Sequence, residues 1–263
     1  MKLSQLINNI KQKKTYLCLG LDTDIDKIPK HLLKYNDPVY EFNKSLLNRL
    51  HSKIIAVKIN TAFYESRGTK GWSSLEKTIN YINSNYPELF TIADAKRADI
   101  GNTSNMYAKA FFKKMNFDSI TISPYMGEDS VNEFLKYKNK YVILLALTSN
   151  KGAKDFQLEN NLFLDVLNKS KKWENSNKLM YVVGATKTTH YKKIRDIVPN
   201  SFLLIPGVGS QGGEIRDVIN HSTSTSNNII INISRAIIYS SSGADYIDKA
   251  EEVVDKYNKQ INL

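Results

Sequence analysis

Eight short runs of apolar and β-branched residues recur along the chain, each followed by a polar stretch long enough for a helix. They are YLCLGLD (16 to 22), IIAVKIN (54 to 60), FTIADAK (90 to 96), SITIS (119 to 123), YVILLAL (141 to 147), MYVVGA (180 to 185), FLLIPGV (202 to 208) and NIIINIS (228 to 234). Strand and helix alternating at roughly 30 residues per unit is the mark of βαβ construction around a parallel sheet. Eight such units in about 250 residues predict an α/β fold, a (β/α)8 TIM barrel, with a doubly wound open sheet as the alternative. No linker rich in Gly or Pro and no internal repeat interrupts the series, so residues 1–263 are expected to form a single domain. Leu3, Leu6, Ile7 and Ile10 fall at helical spacing, which predicts a capping helix over residues 1–14 that closes the barrel bottom. The Ser- and Asn-rich stretch from Asn220 to Asn228 is the most loop-like segment and precedes the last strand.

Within the strands, polar residues gather on one face and toward the carboxyl end. In the second run Ile55, Val57 and Ile59 oppose Ile54, Ala56, Lys58 and Asn60; in the first, Leu17, Leu19 and Leu21 oppose Tyr16, Cys18, Gly20 and Asp22. In the third, Phe90 and Ile92 give way to Asp94 and Lys96 on the same parity, and Asp99 follows in the next turn. A barrel strand turns one face to the helices and one to the lumen, and catalytic groups sit at its C-terminal end. Asp22, Lys58, Asp94 and Lys96 are therefore expected to converge there. Fixed charges held together away from water shift each other's proton affinity, which is how enzymes prepare an acid. A structural ion-pair cluster is the other reading of the same charges.

Composition changes the picture only modestly. The formal charge of +11 is spread along the chain with no basic arm or RNA-binding aromatic motif, so nucleic acid is not an expected partner. The charge does favour encounter with an anionic substrate. No apolar stretch approaches the ~20 residues that span a bilayer. The opening MKLSQLINNIKQKK lacks a secretory apolar block, so a soluble cytoplasmic protein without membrane association is expected. The single Cys18 lies in an apolar run and reads as a buried thiol. His31, His51, His190 and His221 lack metal-ligand spacing, and no metal is expected.

From the end of the seventh run onward, residues 206 to 213 read PGVGSQGG, and Arg235 leaves the eighth at the start of RAII. Glycines let a backbone approach an anion and offer it bare N–H groups, and the loops after strands seven and eight are the common phosphate site of this fold. With a guanidinium one unit later, these segments point to a phosphorylated small substrate.

LGLD ending the first strand, VKIN the second, DAKRADIGNT at the third, TISPYMG at the fourth, LTSNKGA after the fifth and PGVGSQGG after the seventh occur in this order. Together they resemble the orotidine 5′-phosphate decarboxylase family, most of all its bacterial branch with DAKRGDIGNT at the third strand. Ala98 stands where that branch usually has Gly, and Lys151 where Pro is common. The resemblance implies decarboxylation of orotidine 5′-monophosphate to uridine 5′-monophosphate with no cofactor. It implies a catalytic charge network of Lys58, Asp94, Lys96 and Asp99, the last entering the other subunit's site in a homodimer. By the same resemblance Asp22 binds ribose hydroxyls and Thr103 joins the partner's side. Ser149 contacts the pyrimidine, and Gln211 and Arg235 hold the phosphate. A magnesium-dependent sugar-phosphate decarboxylase or synthase on the same barrel, and a non-catalytic nucleotide-binding module, are the competing expectations.

Overall fold

The computed structural model describes residues 1–209, 212–222 and 228–261. Each of the eight apolar runs forms a strand: β1 Leu17–Gly20, β2 Ala56–Asn60, β3 Phe90–Arg97, β4 Ser119–Ile122, β5 Tyr141–Leu147, β6 Leu179–Val183, β7 Leu203–Pro206 and β8 Ile229–Ile233. The strands follow one another in chain order around a closed barrel, which excludes the open sheet. The β1–β2 and β2–β3 ladders are parallel, as are those linking β4 through β8. Strands β1, β4, β6 and β8 are buried at every position, as expected of parallel strands covered on both faces. Each strand is followed by a helix, the longest being Gly68–Asn85 after β2 and Tyr246–Ile261 after β8.

Contacts within the chain gather into two compact units. The first comprises Met1–Ala95, Met115–Phe117 and Ile233–Leu263; the second comprises Lys96–Lys114 and Asp118–Asn232. In the first unit, helix Leu3–Lys13 buries Leu6 and Ile10. Its Lys13 ammonium donates to the carbonyls of His51 (2.7 Å) and Ile54 (3.0 Å), pinning the helix to the chain entering β2. Helix Pro38–Leu50 opens with proline and an Asp37 carboxylate that accepts the Tyr40 N–H at 3.2 Å, both favourable at a helix start.

In the second unit a charge lies in the core. Arg195, in helix Tyr191–Ile197, is 1% exposed and donates to the carbonyls of Ser201 (2.7 Å), Asn228 (3.0 Å) and Ser222 (3.4 Å). It thereby ties together the segments leading into β7 and β8, and burial holds its pKa down to about 10. The segment expected to be a loop from Asn220 to Asn228 begins as helix, since Ile215–Ser222 runs through Asn220; residues 223–227 lie outside the described residues.

Candidate active site

In the first unit the structure brings three of the expected residues together. Register places Lys58 level with Gly20 of β1 and Ile92 of β3. Asp22 and Asp94 therefore stand two residues further along their chains, one layer nearer the strands' C-terminal ends. Lys58 Nζ reaches up to Asp94 Oδ2 at 2.8 Å and Asp22 Oδ1 at 3.3 Å. Lys58 is 3% exposed. Burial opposes its charge, but the carboxylates of Asp94 and Asp22 outweigh that and hold its ammonium above the ordinary lysine range. Beneath it Cys18 is buried, and desolvation keeps its thiol protonated well above the usual range.

The turn that carries Asp22 rests on a buried polar scaffold. Tyr64 donates to the Leu21 carbonyl at 3.2 Å and accepts from Asn43 Nδ2 at 2.9 Å; Thr23 donates to Asn43 Oδ1 at 2.6 Å. Tyr239 donates to the Asp22 carbonyl at 3.0 Å while accepting the Asp24 N–H at 2.7 Å. Burial pushes the Tyr239 hydroxyl up to about 12, so it stays a donor at neutral pH. None of these groups stood out in the sequence, where Asn43 lies inside an ordinary amphipathic helix. Its full burial marks it, because a buried amide needs every partner it can find. Arg235 is exposed and opens the short helix Arg235–Ile238.

The second unit holds Lys96, Asp99, Thr103 and Ser149. Lys96 has a φ of 47°, so the two-residue alternation that governs β3 up to Asp94 does not extend to it. Its place relative to Asp94 is set by this turn rather than by strand parity, and the residue is exposed. Asp99 accepts the Ile100 N–H at 2.8 Å just before helix Gly101–Ala108. Ile100, Thr103 and Met106 are exposed at three-residue spacing, one face of that turn and helix.

Ser149 follows β5 in a segment held from two sides. Gln157 accepts from the Thr148 N–H (2.7 Å) and hydroxyl (3.0 Å), while Thr186 donates to the Ser149 carbonyl at 3.2 Å. At Gly184 a Cβ would fall 2.6 Å from Ser149 Cα, so only glycine lets the end of β6 pack there. After β7, Gly207 and Gly209 adopt φ of 101° and 72°, and Gly209 N–H bonds back to the Gly213 carbonyl at 3.0 Å. Gly207 and Gly209 thus take backbone conformations that favour glycine; Gln211, expected to hold the phosphate, lies outside the described residues.

A closed eight-stranded barrel in which a buried lysine stands between two carboxylates near the C-terminal ends of the early strands has the architecture of a barrel enzyme. The profile of the orotidine 5′-phosphate decarboxylase / HUMPS family matches residues 15–250. Orotidine 5′-phosphate decarboxylase from Flavobacterium johnsoniae is 54% identical over 99% of this chain and 97% of its own length. The enzyme of that name from Phocaeicola vulgatus is 52% identical over 99% and 98%. Among solved structures, OMP decarboxylase of Leishmania donovani superposes with a TM-score of 0.81 at 30% identity, covering 99% of both chains. The chain belongs to the orotidine 5′-phosphate decarboxylase family.

Proposed function

We propose that this chain is a carboxy-lyase that converts orotidine 5′-monophosphate to uridine 5′-monophosphate and carbon dioxide, the last step of pyrimidine nucleotide synthesis. The observation that carries the reading is the Asp22–Lys58–Asp94 cluster, joined to full-length similarity with relatives of that name. Breaking the bond from C6 to the carboxyl carbon leaves an electron pair in the ring plane, where the pyrimidine π system cannot spread it. Lys96 stabilises that pair electrostatically and then donates the proton that completes the product. Asp94, anchored by Lys58 at 2.8 Å, faces the departing carboxylate, and its repulsion fades as neutral carbon dioxide forms.

The remaining roles follow the family pattern. Asp22 takes ribose hydroxyls, Ser149 the pyrimidine, and Gln211 and Arg235 the phosphate. Phosphate contacts remote from C6 supply binding energy that aligns the ring, so they act on turnover as well as affinity. The protein works as one catalytic domain in a cytoplasmic homodimer. A lone buried thiol accords with a reducing compartment, and the exposed Ile100 and Met106 beside Asp99 supply apolar surface for a second subunit. In that assembly the substrate and Asp99 of the partner subunit cover Lys96, with Thr103 on the same side.

A spectrophotometric assay tests the activity. Orotidine 5′-monophosphate should be consumed equally with and without chelator, while the nucleoside orotidine should be turned over far more slowly. Loss of activity on chelation, or binding of uridine monophosphate with no carbon dioxide release, rejects the reading. The shared site has its own test. Mixing the inactive Lys96→Ala and Asp99→Ala proteins under conditions of subunit exchange restores activity, because each hybrid dimer contains one site with both groups intact; silent hybrids assign Asp99 to its own subunit's site.

A further inference from the structure

Seven non-glycine residues among those described have φ in the left-handed region. Five are asparagines, which tolerate it, and Lys14 terminates helix Leu3–Lys13, where such a residue is common. Lys96 alone lies inside a strand. A lysine there carries a steric cost from its own Cβ, and such strain persists only where surrounding structure over-determines it.

The restraints are visible. The Lys96 N–H donates to Thr121 Oγ1 at 2.9 Å, a side chain taking the donor at a position where the chain leaves its regular path. Thr121 sits in β4 and is 1% exposed, so its hydroxyl is held by the barrel wall. One residue on, the Arg97 carbonyl accepts the Ser123 N–H at 3.1 Å. The Arg97 guanidinium carbon lies 5.4 Å from the Tyr107 ring centroid and 5.7 Å from that of Phe111. The residue after the turn is thus clamped by main chain and by aromatic faces.

We propose that Thr121 is a positioning residue for proton transfer: its buried hydroxyl holds Lys96 in the left-handed turn that aims the ammonium at C6. Thr121 touches no substrate in this role. The inference rests on Lys96 as the proton donor. It adds that the donor's aim is fixed from the neighbouring strand through one backbone hydrogen bond.

Thr121→Val keeps the branched shape and removes the acceptor; Thr121→Ser keeps the acceptor and removes the methyl. The valine variant should lose about 10²-fold in kcat, the scale of an ångström-sized misplacement, with KM for orotidine 5′-monophosphate nearly unchanged. The serine variant should recover most of that loss. Should valine fail to fold, Thr121→Ala against Thr121→Ser makes the same comparison. Equal kcat losses in serine and valine, or an unchanged kcat in valine while Lys96→Ala is inactive, overturn the positioning role and leave the donor assignment standing. An active Lys96→Ala overturns the donor assignment itself. The strain has a readout independent of activity: Lys96→Gly should unfold at higher denaturant than Lys96→Ala, reversing the usual penalty for glycine in a strand. The ordinary order, alanine above glycine, refutes the strained turn.

Discussion

Lys96→Ala is expected to lower kcat by at least about 10⁴-fold while leaving the protein folded, the largest effect of any single replacement in this chain. Two contributions disappear together. General acid catalysis supplies roughly 10²–10⁴-fold, and a preorganised charge at the developing anion supplies roughly another 10²–10³-fold. The carbanion cannot spread its electrons into the ring, so nothing in the substrate compensates. Substrate affinity should fall far less, because the proposed reading assigns ribose and phosphate to other residues. The fold should persist because Lys96 is exposed and its left-handed backbone is no better suited to lysine than to alanine. Single-turnover decarboxylation measured beside far-ultraviolet circular dichroism separates these outcomes. A folded Lys96→Ala protein with turnover within about tenfold of the parent would remove Lys96 from the chemistry, since a proton donor is worth at least roughly 10²-fold.

The barrel was legible because its signal is repetitive. Apolar runs of β-branched residues recur at even spacing, and all eight appear in the structure within a residue or two of the periodicity's bounds. The cluster of Asp22, Lys58 and Asp94 was legible for the same reason: strand parity is a local rule, and each residue stands at the C-terminal end of a strand obeying it. Lys96 marks where the rule stops. A single residue in the left-handed region redirects the chain beyond it, and no spacing in FTIADAKRADIGNT announces the change. The supporting groups were hidden for a different reason. Asn43, Tyr64 and Gln157 act through partners 20 or more positions away or through backbone groups, and their residue types are commonplace in helices and loops. Arg195 was half visible. Its spacing from Tyr191 and Ile194 puts it on the inner face of helix Tyr191–Ile197, where a charged residue is rare enough to ask what it binds.

Lys58→Met, which keeps length and removes charge, is expected to damage stability and turnover together, with a pH signature that distinguishes it from Lys96→Ala. In the parent, the Lys58 pKa is raised on folding. Its contribution to stability is therefore fully present below the ordinary lysine range and is lost only as pH climbs through the still higher folded value. No change of stability with pH in the neutral or mildly acidic range should come from Lys58 itself. In the methionine variant, Asp22 and Asp94, whose side chains are only 17% and 12% exposed, lose the cation between them. Removing one partner of a buried ion pair costs about 3–5 kcal/mol, because the remaining charge keeps its desolvation penalty without its compensation. The deficit should therefore be level across the neutral and mildly acidic range and shrink only as pH climbs beyond the ordinary lysine range, where the parent's Lys58 loses its own contribution. Turnover should fall by about 10²–10³-fold, since in the proposed mechanism Asp94 loses the ammonium that fixes it against the substrate carboxylate. Urea unfolding at a series of pH values, with kcat at each, reads both. A stability deficit that does not shrink above the ordinary lysine range would mean that packing, not charge, is what Lys58 contributes. Full turnover in that protein would separate the Asp22–Lys58–Asp94 cluster from the decarboxylation.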